Sequence, residues 1–143
     1  NVKNLTLSDI TEYNKKDYLN SFPNHSDYLI HDFTKKKLSK KFEAIYLNDV
    51  LEHIHKNKEI KFIKNIKYSL KKNGTIIVGM PTLESQKYAS HLSKIGHINC
   101  KSKYELRNFL YKFFTNVYMF SMNDEVIHTG YDKMSNYIFA ICN

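Results

Sequence analysis

A chain of 143 residues with 42% hydrophobic and 14% aromatic content is long enough to bury a core and too apolar for disorder. No apolar run approaches the roughly 18 residues of a membrane span, no leader-like segment opens the chain, and Cys100 and Cys142 are too few for a disulfide framework or zinc site. The net charge of +8 comes from scattered lysines, and Arg107 is the one arginine, which argues against a specific nucleic-acid surface. The expectation is a reduced, cytoplasmic protein with no membrane partner.

No repeat, low-complexity stretch or linker divides residues 1–143, so one domain is expected. The opening "NVKNLTLSDI" reads as a strand ending near Asp9, and "DYLIHDF" as a second ending near Asp32. "FEAIYLN" is a third, closed by the acidic turn that begins at Asn48 and Asp49. From about Leu51 to Leu70, Ile60, Ile63, Ile66 and Leu70 follow helical spacing, and "KKNG" supplies a cationic last turn with an Asn-Gly stop.

"TIIVGMP" is a continuous apolar run of β type, ended by Pro81. Residues 82–101 read as a long polar loop. "SKYELRNFLYKFF" opens with a Ser-x-x-Glu capping box, Ser102 and Glu105, and continues as an amphipathic helix. "NVYMFSM" and "NYIFAIC" are the last two strands, joined by a loop, and look antiparallel. Strands alternating with helices predict an α/β sheet, parallel in its main part, with ligands beyond the carboxyl ends of the strands. Asp9, Asp32 and the Asn48–Asp49 pair all fall at such ends.

Taken together, "FEAIYLNDVLEHI", "SLKKNGTIIVGMP" and the closing strand pair resemble the later part of a class I S-adenosylmethionine-dependent methyltransferase. The first stretch resembles the family's fourth strand and its "D/E-V-L-E-H" motif. The second resembles its "L-K-P-G-G" turn and fifth strand, with Lys72, Asn73 and Gly74 as the departure. The resemblance implies a Rossmann-like sheet, S-adenosylmethionine as cofactor and S-adenosylhomocysteine as product. It also implies roles: Asp9, with Ile10 beside it, for the ribose hydroxyls; Asp32 for the adenine amino group, with Phe33 packing on the ring; Asn48 and Asp49 for the methionine end. A carboxylate suits a diol because it accepts from both hydroxyls.

One departure is large. The family's first strand carries a Gly-rich turn and lies centrally, between the strands read here at 1–10 and 42–48. The first glycine here is Gly74. The chain also opens at Asn1, not methionine, so the expectation is a domain whose N-terminal strand and helix lie upstream. Unpaired edges left by that gap would invite homodimerisation.

The turn residues Asp49, Glu52 and His53 have spacing that could hold a divalent cation. "E-x-x-E-H" holds a metal in a subset of the family, the ubiquinone-pathway O-methyltransferases and small-RNA terminal methyltransferases. A solvated turn whose Glu52 opens a helix is the bland alternative. His53, His97 and His128 are the candidate general bases, since methyl transfer to oxygen needs one proton removed. Tyr88, Asn123 and Glu125 are candidate contacts for a small-molecule or saccharide acceptor, because they lie in polar loops at the same end of the sheet. The loops also resemble an uncharacterised bacterial branch of the family. Two other readings stand beside methyl transfer to a hydroxyl: a cofactor-free remnant acting as an interaction module, and an RNA methyltransferase.

Overall fold

In the computed structural model of the chain, residues 4–23, 26–124 and 126–143 are described. The elements run β1 (Leu5–Asp9), α1 (Lys15–Ser21), β2 (Ser26–Ile30), β3 (Phe42–Asn48), α2 (Glu59–Tyr68), β4 (Leu70–Pro81), α3 (His91–Gly96), α4 (Lys103–Leu110), β5 (Val117–Asn123), β6 (Val126–His128) and β7 (Tyr137–Cys142). Short 3₁₀ turns sit at Leu51–His53, Glu84–Tyr88 and Asp132–Met134.

Two sheets form. β1 and β2 pair in parallel, and five strands order as β3-β4-β7-β5-β6. β3 and β4 are parallel; β7 runs antiparallel between β4 and β5, so β3, β4 and β5 share one direction. The α/β architecture, with parallel pairs β1–β2 and β3–β4 and an antiparallel closing pair, β5 and β7, is as expected.

Alternation along these strands decides which face is buried. Ile76, Val78 and Met80 of β4 and Ile138, Ala140 and Cys142 of β7 are fully buried with α2 and α4. In α2, Phe62, Ile63 and Ile66 share the inward stripe, and in α4 Leu106, Phe109 and Leu110 do. The opposite face of the same sheet is apolar but open: Tyr46, Tyr118 and Ile141 remain 59, 57 and 36% exposed.

Between the two sheets lies a slot. β1 is bonded only to β2, and β3 only to β4, among the described strands. The facing edges line one cavity of about 680 Å³, walled by consecutive residues 6–10 of the first sheet and 44–48 of the second. Successive strand side chains point to opposite faces, so a wall of consecutive residues means the cavity follows the backbone edge. Lys40, just before β3, donates to Thr6 Oγ1 of β1 at 3.2 Å and pairs with Asp27 of β2 at 3.0 Å. The starting ends of β1 and β3 therefore lie side by side.

Several expectations change. The helix predicted over 51–70 is a 3₁₀ turn followed by α2, because Leu51 and Glu52 are drawn fully into the core at the end of β3. Leu70 belongs to β4, not to the helix. "KKNG" is no helix stop: Leu70 pairs with Phe42, residues 71–74 bulge out with Asn73 at φ 66°, and pairing resumes at Thr75 with Ala44. The second strand stops at Ile30, before Asp32. α1 was not expected, and it buries none of its residues, so no periodic apolar stripe marks it. The loop expected at 82–101 holds a 3₁₀ turn and α3. β6 folds back on β5 through a tight turn with Asp124 at φ 50°. Residues 1–3 of the first predicted strand lie outside the described residues.

Candidate active site

The carboxyl ends of β1, β2 and β3 deliver side chains to the slot cavity: Asp9 and Ile10, then Asp32 and Phe33, then Asn48 and Asp49. Asp9 Oδ1 caps its own turn, accepting from the Ile10 and Thr11 amides. Asp32 Oδ1 likewise accepts from the Thr34 amide at 2.9 Å and hydroxyl at 2.6 Å, and Oδ2 pairs with Lys35. The Thr34 hydroxyl above all holds the Asp32 carboxyl below its ordinary pKa, so it is an anion at neutral pH. Turn chemistry thus occupies part of both acids, and each has a second oxygen. Phe33 is half-buried, edge-on to Phe62 and His31.

Asn48 and Asp49 form a fixed corner. Asn48 Nδ2 donates to Asp49 Oδ2 at 3.0 Å, and the Tyr137 hydroxyl lies 2.7 Å from Asn48 Oδ1 and 2.9 Å from Asp49 Oδ1. Asp49 is therefore turned toward Tyr137.

One turn further, Glu52 is fully buried, and neither carboxylate oxygen has a hydrogen-bond partner among the described residues. Desolvation pushes its pKa up to about 7. His53 Nε2 stands 3.9 Å from Glu52 Oε1, while its Nδ1 faces the Gly96 carbonyl at 2.9 Å. His97 arrives from the end of α3, its Nδ1 2.9 Å from Gln86 Oε1 and its ring 5.2 Å from that of His53. Each Nδ1 faces a carbonyl oxygen and so donates to it, which in the neutral ring leaves Nε2 as the acceptor. Burial lowers the His97 pKa, favouring the neutral ring. Ligating atoms of Glu52, His53 and His97 lie within 4.8 Å of one another.

The chain matches no known family model and no curated protein. Solved structures do match. DhpI in complex with SAH superposes at TM-score 0.72 with 12% identity, covering 98% of this chain and 65% of that one. The N-methyltransferase NodS from Bradyrhizobium japonicum, with S-adenosyl-L-homocysteine, gives 0.72 at 16% identity, covering 98% and 66%. Human N-acetylserotonin methyltransferase with SAM gives 0.68 at 18% identity, covering 98% and 40%. The chain has the class I S-adenosylmethionine-dependent methyltransferase fold. It spans just under two thirds of DhpI, and less of the human enzyme.

Within this methyltransferase fold the predicted residues divide. Asp9, Ile10, Asp32, Phe33, Asn48, Asp49 and His53 line one cavity, and His97 joins His53 beside it. Of the residues expected to hold a metal, Glu52 and His53 are grouped with His97, and Asp49 is turned toward Tyr137. His128 lies outside that cavity on β6, its Nδ1 accepting from the Gly130 amide. Tyr88 is 79% exposed, and Asn123 Oδ1 accepts from the Asn136 amide. Glu125 lies outside the described residues. Sequence reading missed Tyr137, Gln86 and a buried network under the site: Lys101 Nζ to Glu59 Oε2 at 2.8 Å, with Asn99 bonded to both. Asn99 also donates to the Glu52 and Ile54 carbonyls, tying the 97–101 loop to the acidic turn. No helix of the described residues is long and apolar enough to cross a membrane.

Proposed function

We propose that the chain is the larger part of a methyltransferase domain that transfers a methyl group from S-adenosylmethionine to a hydroxyl of a small molecule or saccharide. One observation carries this reading: three successive strand ends deliver Asp9, Asp32 with Phe33, and Asn48 with Asp49 to a single cavity. Structures bound to SAM or SAH share the fold. The second oxygen of Asp9 would accept from the ribose, and Asp32 Oδ2, which also pairs with Lys35, from the adenine amino group, with Phe33 against the ring. Asn48 and Asp49 would hold the methionine end. The cofactor supplies an electrophilic methyl on a sulfonium; the chain's residues orient the acceptor in line and take its proton. His97 fits the base best, being neutral and presenting a free Nε2 beside the acidic turn. His53 is next to it; His128 is the distant third.

The slot and the open sheet face support a domain completed by an upstream strand between β1 and β3 and a helix over Tyr46 and Tyr118. Two facing backbone edges want amides and carbonyls at strand spacing, which another strand provides. The same edges are where a homodimer would form in its place. Two free cysteines suit a reducing cytoplasm.

A second reading, in which His97 ligates a cation and is not the base, rests on Glu52. A buried carboxylate without a partner, flanked by two free imidazole nitrogens, fits a divalent cation of the borderline type that nitrogen and oxygen donors favour. Glu52, His53 and His97 would hold it, and it would acidify an acceptor hydroxyl.

The test is calorimetric titration of S-adenosylhomocysteine into this chain and into a polypeptide extended upstream by the missing strand. Micromolar binding by the longer form, lost in Asp9→Ala and Asp32→Ala, is expected. Binding by neither form would leave only the fold, and the interaction-module reading would take over. Binding accompanied by salt-sensitive RNA binding would favour an RNA acceptor.

A further inference from the structure

Asn48 and Tyr137 stand on the same face of the sheet with β4 between them. Asn48 pairs with Gly79, Gly79 with Phe139, and Pro81 with Tyr137. A side chain at Gly79 would stand between the two: a Cβ there would meet Asn48 Oδ1 at 2.3 Å and the Phe139 ring at 2.6 Å. The missing side chain lets the Asn48 carboxamide fold across β4 and reach the Tyr137 hydroxyl, 89 residues away in sequence.

The corner so held is strained. Asp49 sits at φ 52°, a left-handed conformation that costs a residue other than glycine on the order of 1 kcal/mol. Its amide donates to the Gly79 carbonyl at 3.1 Å, and its carboxylate takes one donor from Asn48 and one from Tyr137. Tyr137 is half-buried, with its ring 4.9 Å from that of Phe139. Its single hydroxyl proton faces two acceptor oxygens, Asn48 Oδ1 and Asp49 Oδ1. Burial and the neighbouring Asp49 hold the phenol protonated, so the group is a donor at every working pH and not a base.

We infer that Tyr137 is a positioning residue: met across Gly79 by the Asn48 carboxamide, it sets the direction in which Asn48 and Asp49 present their remaining polar atoms to the cavity. The inference rests on the reading of that cavity as the cofactor site. Tyr137 touches no reacting atom in this scheme. It acts through Asn48, and the effect should appear in cofactor affinity, not in the pH dependence of turnover.

The experiment uses the extended polypeptide and S-adenosylhomocysteine as probe. Tyr137→Phe is expected to raise the dissociation constant about five- to tenfold, the scale of one hydrogen bond. Its melting temperature should stay within a few degrees of the wild type, and the pH profile of turnover should not move. Asn48→Ala should weaken binding at least as much, and adding Tyr137→Phe to it should weaken binding no further. Gly79→Ala, which displaces the carboxamide without touching the phenol, should weaken binding in the same direction. Unchanged affinity in Tyr137→Phe, or full additivity with Asn48→Ala, would overturn the inference while leaving the cofactor site standing. A wild type that binds no S-adenosylhomocysteine would instead remove the reading beneath it, and the inference with it.

Discussion

Lys101→Met is expected to lower stability by about 3–5 kcal/mol, the cost of leaving a buried charge without its partner. Lys101 and Glu59 are 5 and 8% exposed, and their 2.8 Å contact is completed by Asn99, which bonds both. Methionine keeps the apolar stem but not the ammonium, which also stands 5.1 Å from the Phe109 ring centroid, so the loss is electrostatic. Glu59 would keep only the Asn99 amide as donor. Urea melts at pH 7 read the effect, and the double variant Lys101→Met/Glu59→Leu should recover most of it. A loss below 1 kcal/mol would mean that the pair behaves like an exposed one. Because Asn99 also ties the loop to the Glu52 carbonyl, Lys101→Met should loosen His97 from its place beside His53.

Glu52→Gln should act with the opposite sign. The folded-state pKa of Glu52, about 7, lies above its ordinary value of 4.5, so between those values the folded chain holds a proton that the unfolded chain has released. Stability therefore falls as pH rises through that window and stays low above it, by about 3 kcal/mol in full. Glutamine cannot ionise and removes this slope. With chelator present, the variant should gain on the wild type by about 2–3 kcal/mol between pH 5 and pH 8. Parallel pH curves for the two proteins would show that the carboxylate is not desolvated as described. Cobalt(II) reads the other possibility without turnover. A bound cation would keep Glu52 ionised and reverse the advantage, and the visible absorption of ligated cobalt should be lost in Glu52→Gln.

What the sequence made legible was local. β3, the apolar run of β4, β7 and the capping box of α4 are specified within a few residues, and the capping box forms with both bonds present, the Glu105 amide donating to Ser102 Oγ and the Ser102 amide to the Glu105 carboxylate. Asp9, Asp32 and Asn48 were readable because strand ends place them. What was not readable depends on contacts far apart in the chain. Lys101 and Glu59 look like surface charges until the fold buries them together, and Tyr137 looks like any strand tyrosine until Gly79 clears the path by which Asn48 reaches it. The helix predicted from Leu51 failed because a core leucine and a buried acid outweighed periodicity. Glu52 thus left the solvated helix start for the interior.

The division into two sheets has a further consequence. Among the described residues, the β1–α1–β2 unit and the loop after it are tied to the rest by the Lys40 contacts, the Phe33 ring and the bonds from Asn65 to the Phe33 carbonyl and from Ser69 to the Leu38 carbonyl. A unit so tied is expected to open at a lower free energy than the five-stranded half, which hydrogen exchange would read. The cavity has one wall in each unit, so whatever fills it must pay to bring two independently opening parts into one. Once filled, they open together. Occupancy and cooperativity are then a single equilibrium seen from two sides, and the order of the first sheet reports how full the cavity is.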